Sequence, residues 1–234
     1  MGNKKFILLI VIAILALILI SPVKEHSWQW NGIKWVPTRI SKNQFAVVNP
    51  HLAQYTTGQD CMELKDQQVT IHRCAGIFTG KEWVSPLNWQ VKEVVSGDLN
   101  HDGIEEFGLL VWRTFKPWPI DKFLPNAGRI AAFHDENDLS CHLILIGWDG
   151  EKYRELWAGS ALADPISHLV IVDVDRNGEE ELAAIEGTYK KPGDGNLTIW
   201  KWQGFGFTLI NRLDGKFSNF TLGNVGDHSI LITD

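Results

Sequence analysis

One short pattern recurs four times in this chain: an aromatic residue, glycine two positions later, and a second aromatic three positions after the glycine. The copies span residues 30–35, 78–83, 148–153 and 202–207, and their glycines are 48, 70 and 54 residues apart. Glycine adopts positive φ at little cost, and Asn-Gly or Asp-Gly between apolar segments is typical of β-hairpins. The pattern therefore predicts four hairpins whose aromatic side chains face each other across paired strands.

A second apolar stretch follows each predicted hairpin, at residues 45–48, 91–96, 168–172 and 220–222. No helical period separates these stretches, so each unit is predicted to hold four antiparallel strands. The 11 Trp, 11 Phe and 21 Gly of the 234 residues also favour short strands joined by tight turns. Four-stranded units at this spacing are typical of a β-propeller.

The two ends of the repeat region are each half a unit. It begins with a lone hairpin at residues 27–40 and ends with a lone strand pair at residues 217–233. Pairing these halves would complete a fourth blade and cover both terminal strand edges. We therefore predict an all-β fold, a small β-propeller of about four blades closed by N- and C-terminal strands. A β-sandwich, an open sheet, or a half-propeller that dimerises are the alternatives.

The N-terminus predicts a membrane anchor. Lys4 and Lys5 precede an unbroken apolar run at residues 6–20, which is typical of an export signal. Bulky residues at its exit disfavour cleavage, although a cleaved signal is the alternative. We assign residues 1–23 to a signal anchor or transmembrane segment. Residues 24–234 then form an extracytoplasmic domain on the cell surface or periplasmic side.

Charge and cysteine content narrow the partners and the compartment. The 22 basic and 28 acidic residues give a net charge of -6, which argues against a nucleic-acid partner. Cys61 and Cys74 have a spacing that allows a disulfide across a hairpin in an oxidising compartment, which leaves Cys141 as a buried thiol. Three unpaired thiols are the alternative.

Two acidic loops carry the clearest chemistry. Residues 98–106 and 173–181 both fit the pattern D-x-[DN]-x-[DN]-G-x-x-E. Oxygen ligands at positions 1, 3, 5 and 9 and a backbone carbonyl at position 7 make a shell suited to Ca²⁺. We predict two calcium sites, with these ligands: Asp98, Asn100, Asp102, Ile104 and Glu106 in the first, and Asp173, Asp175, Asn177, Glu179 and Glu181 in the second.

The pattern of these loops has two other interpretations. An EF-hand needs Glu at position 12, where the chain has Leu109 and Ala184, and it needs flanking helices. A solvated acidic turn that binds no metal is the simpler alternative, and it is less satisfactory for two loops at matching places in the repeat. The other units lack comparable ligands.

The blocks at residues 97–103 and 172–178, with their continuations at Phe107-Gly108 and Glu181-Leu182-Ala183, resemble FG-GAP/VCBS repeats. The resemblance covers residues 91–234 well and residues 24–90 poorly. It implies an integrin-α-type propeller whose loops bind calcium on one face, although this chain is too short for the seven blades usual in that family. That family is mostly a binding and adhesion scaffold.

The chain contains no G-x-S-x-G, H-E-x-x-H or Walker-type motif, so no catalytic residue is predicted. The expected function is a binding, adhesion or interaction module for an unknown protein or glycan, with the aromatic loop at residues 116–123 as one candidate platform. The alternatives are a polysaccharide-active hydrolase of the cell envelope, with a site in the central depression, and a structural subunit of an envelope assembly.

Overall fold

The computed structural model describes residues 26–41, 46–48, 54–57, 60–74, 82–116, 123, 132–226 and 228–233. The predicted anchor at residues 1–23 and most of the aromatic loop at residues 116–123 lie outside these ranges. No helix within the described residues is long and apolar enough to cross a membrane. The described residues form seventeen β-strands in four antiparallel sheets, so the predicted all-β class is confirmed.

Three sheets have four strands each, taken in chain order. The first sheet contains β4 (Gln54–Thr57), β5 (Asp60–Lys65), β6 (Gln68–Arg73) and β7 (Trp83–Val84). The second contains β8 (Trp89–Gly97), β9 (Glu106–Thr114), β10 (Leu139–Trp148) and β11 (Tyr153–Ala158). The third contains β12 (Ile166–Val172), β13 (Glu181–Thr188), β14 (Lys191–Trp202) and β15 (Phe207–Phe217).

The fourth sheet, here the closing sheet, joins the two ends of the described chain. Its strands, in spatial order, are β2 (Trp35–Thr38), β1 (His26–Trp30), β17 (His228–Thr233), β16 (Phe220–Val225) and β3 (Ala46–Val48). The N-terminal strand pairs directly with the C-terminal one, from His26 opposite Thr233 to Gln29 opposite Ile230. The predicted union of the two half units is therefore present.

The apolar stretch predicted after the first hairpin contains β3 of the closing sheet. Ala46–Val48 pairs with β16 as the fifth strand of that sheet, with Val48 opposite Leu222. The first sheet begins only at Gln54. A pairing between residues so far apart in sequence leaves no local signal in the chain.

Three predicted hairpins are confirmed at Gly32, Gly150 and Gly204, whose φ angles are 93°, 99° and 74°. Their flanking aromatics face each other as expected, with ring centroids 5.5 Å apart for Trp30 and Trp35. The corresponding distances are 5.1 Å in the Gly150 hairpin and 5.2 Å in the Gly204 hairpin. The turn at Gly80 lies outside the described residues.

The sheets pack face to face through three apolar clusters. These clusters join the first sheet to the second, the second to the third, and the third to the closing sheet. Strand β9 shows why: Leu109 and Val111 belong to the first of these clusters, whereas Leu110 and Trp112 face the other way into the next. Alternate side chains point to opposite faces of a strand, so a sheet covered on both faces is apolar throughout. The arrangement is consistent with a small propeller-like fold.

A disulfide joins Cys61 to Cys74 across the β5–β6 hairpin, with the two Cα atoms 5.5 Å apart. Cys141 is a free, buried thiol. Both outcomes match the pairing considered from the sequence. The disulfide cross-links two strands of the first sheet. This sheet contributes fewer buried residues than the second sheet to the apolar cluster that the two share.

A buried hydrogen-bonded pair also links the second and third sheets. The Glu93 carboxylate on β8 accepts hydrogen bonds from His168 Nδ1 and from the Leu169 backbone N–H, both at 2.8 Å. Both side chains are largely buried, at 8% exposure for Glu93 and 6% for His168. One carboxylate thus satisfies two donors of the neighbouring sheet.

We expect Glu93→Gln to lower the free energy of unfolding by about 1–3 kcal/mol, since His168 and Leu169 donate to different oxygens of the carboxylate and an amide keeps only one of these acceptors. Urea unfolding followed by tryptophan fluorescence measures the change. Glu136→Gln, at an exposed carboxylate in a loop, is the matched control and is expected to leave the urea midpoint unchanged. Equal midpoints for wild type and Glu93→Gln would show that the pair contributes nothing.

Candidate metal centres

The two acidic loops occupy equivalent places in adjacent sheets. The first joins β8 to β9 in the second sheet, and the second joins β12 to β13 in the third. Each therefore links the first and second strands of its sheet. The predicted repeat relationship between the two loops is thus confirmed by their position.

Their backbones follow the same path. The fourth and sixth residues of each loop have positive φ: 61° at His101 and 86° at Gly103, against 62° at Arg176 and 89° at Gly178. Glycine meets this requirement at position 6 without strain, whereas His and Arg adopt it at some cost. The shared conformation curls each loop around its own carboxylates.

The first aspartate holds each loop in the same way. Asp98 accepts hydrogen bonds from the Asp102 and Gly103 backbone N–H groups, at 3.0 and 2.9 Å. Asp173 accepts from Asn177 and Gly178 at the same two distances. The carboxylate at position 1 is thus fixed by the backbone at positions 5 and 6.

The glutamate at position 9 closes each loop from the strand side. Glu106 accepts from the Leu99 N–H at 3.1 Å, and Glu181 accepts from the Val174 N–H at 2.9 Å. Glu106 is 1% exposed and Glu181 is fully buried. Carboxylates this buried normally need a paired charge or a metal ion.

Three carboxylates converge in each loop. One oxygen each from Asp98, Asp102 and Glu106 lie within 4.8 Å of one another, and the same holds for Asp173, Asp175 and Glu181. These six residues are all among the predicted ligands.

The other four predicted ligands are not among the carboxylates of these two clusters. Asn100 lies within the first cluster, because its amide donates to Glu106 Oε1 at 2.8 Å. Asn177 donates to Asp175 Oδ2 at 3.1 Å. At position 7, where the expected ligand is the backbone oxygen, the Ile104 side chain is exposed and the Glu179 carboxylate pairs with Lys201 at 2.8 Å. None of these four contributes a carboxylate to the clusters.

The charges in both clusters are unfavourable without a cation. Burial raises the pKa of Glu106 to about 8, and the negative charges of Asp102 and Asp98 add to this, against hydrogen bonds that lower it. Burial also raises the pKa of Glu181, with Asp175 adding to the effect. Both shifts report the cost of placing like charges together in a desolvated site.

One oxygen in the second cluster has no hydrogen-bond donor. Glu181 Oε1 is buried and accepts no hydrogen bond, although Lys201 Nζ lies 3.5 Å away. A buried acceptor without a donor is uncommon in folded proteins. The cluster around this oxygen could hold a metal ion.

Lys201 distinguishes the two loops. It lies on β14 directly opposite Glu181, one residue beyond the Leu182–Trp200 pair. The equivalent position in the second sheet, opposite Glu106 and next to the Phe107–Ile146 pair, is Gly147. The third-sheet loop therefore has an ammonium group beside its buried glutamate, and the second-sheet loop has a glycine.

Sequence reasoning missed the contact between the loops. Glu180, a non-ligand residue of the second loop, accepts from the Asp98 N–H at 2.7 Å, and its backbone oxygen lies 2.9 Å from His101 Nε2. A Cβ at Gly97 would lie 2.3 Å from the Glu180 carboxylate, so this glycine makes room for the contact.

The closing sheet contacts the second acidic loop at the end of its β16–β17 pair. Val225 and His228 end the β16–β17 pair, and Arg176 of the second acidic loop donates to Gly226 O at 2.7 Å. Asn224 accepts a hydrogen bond from Ser229 Oγ. Within the described residues, only the second and third sheets have carboxylate clusters.

The chain matches no protein-family model, and no curated protein shows significant sequence similarity to it. The resemblance to FG-GAP/VCBS repeats therefore rests on the two acidic loops and the strands that flank them.

Proposed function

We propose that this chain is a membrane-anchored, extracytoplasmic β-propeller of the FG-GAP/VCBS type. In this proposal two calcium ions stabilise it, and it acts as a binding or adhesion module for a protein or glycan and not as an enzyme. The observation that carries the proposal is the near identity of the two acidic loops. They share φ angles, hydrogen bonds and a trio of converging carboxylates at equivalent places in adjacent sheets.

The propeller assignment is supported by the pairing of β1 with β17 and by the order of the apolar clusters. A four-bladed ring also requires the closing sheet to face the first sheet. None of the three clusters of described residues joins that pair. This fourth contact is therefore part of the proposal.

Calcium is favoured by the chemistry of the donors. Each loop offers carboxylate, amide and backbone oxygens and no nitrogen or sulfur ligand, which suits a hard cation that accepts six to eight oxygens. Six carboxylate oxygens held within the two clusters supply the negative charge. The ions would fix one end of the second and third sheets.

The anchor and the extracytoplasmic location rest on the sequence of residues 1–23. The disulfide between Cys61 and Cys74 is in keeping with an oxidising compartment. A binding role rests on the resemblance and on the absence of known catalytic motifs from the sequence.

Calcium is expected to raise the melting temperature relative to EGTA. A ligand that binds only the folded state at a hundredfold excess over Kd stabilises it by about 2.7 kcal/mol per site. For a domain of this size each kcal/mol corresponds to about 2–4 °C. Scanning calorimetry of wild type, Asp98→Ala, Asp173→Ala and the double variant measures the response.

Each single variant is expected to lose part of the calcium response, and the double variant all of it. Asp194→Ala, an exposed aspartate of the third sheet outside both loops, is the matched control and should respond as wild type does. A melting temperature that is the same in EGTA and in millimolar calcium would remove the metal proposal. A full response in the double variant would show that the ligands are misassigned.

A further inference from the structure

A cavity of about 340 Å³ opens at the end of the second sheet opposite its acidic loop. It is lined by the beginnings of β8 and β10 and by the ends of β9 and β11, together with the residues that follow them. The acidic loop joins the other ends of β8 and β9. The cavity is therefore separate from both candidate metal centres. Its volume lies at the lower end of the range of about 300–1,000 Å³ typical of small-molecule sites.

The charged side chains that line this cavity are cationic. Arg113 and Lys116 both line it, and no carboxylate does. Neither cation forms a salt bridge with any described residue. In a chain with a net charge of -6, a concave surface with two cations and no acid is a local reversal of charge.

Arg113 is held in place and is only partly hydrated. Its guanidinium lies over the Trp89 ring, 5.6 Å from the centroid, and the residue is partly buried. Burial lowers the pKa of Arg113, and the more distant Glu155 carboxylate partly offsets this. A guanidinium remains charged in proteins, so it retains donors that suit an oxyanion.

The side chains of Ser140 and His142, which line the cavity beside Arg113, are neutral. His142 Nδ1 lies 3.0 Å from the Gly159 backbone oxygen, which can only accept, so Nδ1 carries the proton. His142 Nε2 then accepts from the Ser140 hydroxyl at 2.8 Å. Arg113 Nη2 is 3.5 Å from the protonated Nδ1, which is contact and not a hydrogen bond. Burial, more than the nearby Arg113 charge, lowers the pKa of His142 to about 4, so these two side chains add no charge at neutral pH.

We propose that this cavity binds a small ligand through a carboxylate or phosphate group. Arg113 is the main contact to the anion, and Lys116 is a second cation at the rim. Phe115, which also lines the cavity, offers an apolar surface for the rest of the ligand. This site goes beyond the proposed function and does not depend on the calcium sites.

Isothermal titration calorimetry on the full-length chain tests the site with three sugars that share one ring: glucose, glucuronate and glucose 6-phosphate. At least one of the charged sugars is expected to bind at least tenfold more tightly than glucose, because a charge-assisted hydrogen bond contributes that much. The stronger of the two identifies carboxylate or phosphate as the preferred group. Binding of that sugar is expected to weaken as salt is added.

Arg113→Gln is expected to weaken binding at least tenfold, and Lys116→Gln by a smaller factor. Lys116 is exposed, so its variant tests the site even if the loss of Arg113 disturbs folding. Lys34→Gln, at an exposed lysine in the β1–β2 hairpin, is the control and should bind as wild type does. The proposal is overturned by equal affinity for glucose and the charged sugars, by no measurable heat with any of them, or by unchanged affinity in the Lys116→Gln and Arg113→Gln variants.

Discussion

Glu106→Gln is expected to raise the melting temperature of the metal-free protein at pH 8 and to remove most of the calcium response of the second-sheet loop. Burial raises the pKa of the Glu106 carboxyl from its ordinary value of 4.5 to about 8 in the folded chain. Glutamine has no charge to bury, and its oxygen still accepts from the Leu99 N–H, although its NH2 group cannot accept from the Asn100 amide as Glu106 Oε1 does. Without the charge, however, the cluster loses one of its three carboxylates.

The pH dependence of the metal-free protein follows from the same residue. A carboxyl whose pKa is raised on folding favours the folded state fully below the unfolded pKa, and this stability is lost as pH rises through the folded pKa. The metal-free wild type should therefore become less stable between about pH 4.5 and pH 8. Glu106→Gln should show a smaller decline over this window.

Calorimetric melts at pH 5 and pH 8, in EGTA and in calcium, measure both effects. Glu105→Gln removes the same charge from the adjacent, exposed position and is the control, with a small effect expected in either condition. A Glu106→Gln protein that melts lower than wild type in EGTA at pH 8, yet gains as much from calcium, would contradict the assigned role.

Ending the chain at Gly226 is expected to abolish cooperative unfolding. This truncation removes β17, the strand that lies between β1 and β16 in the closing sheet. Both neighbours would lose a complete set of backbone partners, and their exposed edges would favour aggregation. The buried residues Ile230, Leu231 and Ile232 would leave the core as well.

A point substitution tests the same strand in a protein that still folds. Leu231 is fully buried and lies opposite Trp28 on one side and Leu222 on the other. Leu231→Ala is expected to cost about 2–5 kcal/mol in urea unfolding. Leu209→Ala, at a residue of β15 that is 41% exposed, is the control and should cost much less. Similar urea midpoints for the two variants would show that the closing sheet does not stabilise the fold.

Local pattern predicted the turns of this fold well. Asn31-Gly32 and Asp149-Gly150 form the expected hairpins because the turn chemistry lies within the turn itself: Asn31 Oδ1 and Asp149 Oδ1 each accept from backbone N–H groups two and three residues on. The pairing of β3 with β16 was not predicted, because the two strands are more than 170 residues apart in sequence. Such a pairing is decided by packing between distant segments, which no local pattern records.

Some features of the candidate metal centres were also predictable from the sequence, and others were not. Spacing alone predicted that carboxylates of each loop would converge, and they do, since each loop is folded by its own residues. The contact of Glu180 with Asp98, and the position of Lys201 beside Glu181, depend on how neighbouring strands and sheets are placed. The cavity at Arg113 likewise depends on how the ends of the four consecutive strands β8 to β11 are placed beside one another.

If the two loops bind calcium as proposed, Lys201 should make them respond differently when calcium is scarce. Its ammonium repels an incoming cation, so the third-sheet loop should release its ion at a higher calcium concentration. The same ammonium then remains beside Glu181 as a counter-ion and limits the loss of stability when the ion leaves. The second-sheet loop has Gly147 at that position, so no ammonium group from this position balances the charge of Glu106. It should keep its ion longest, and its emptying should be the step at which chelation begins to unfold the protein.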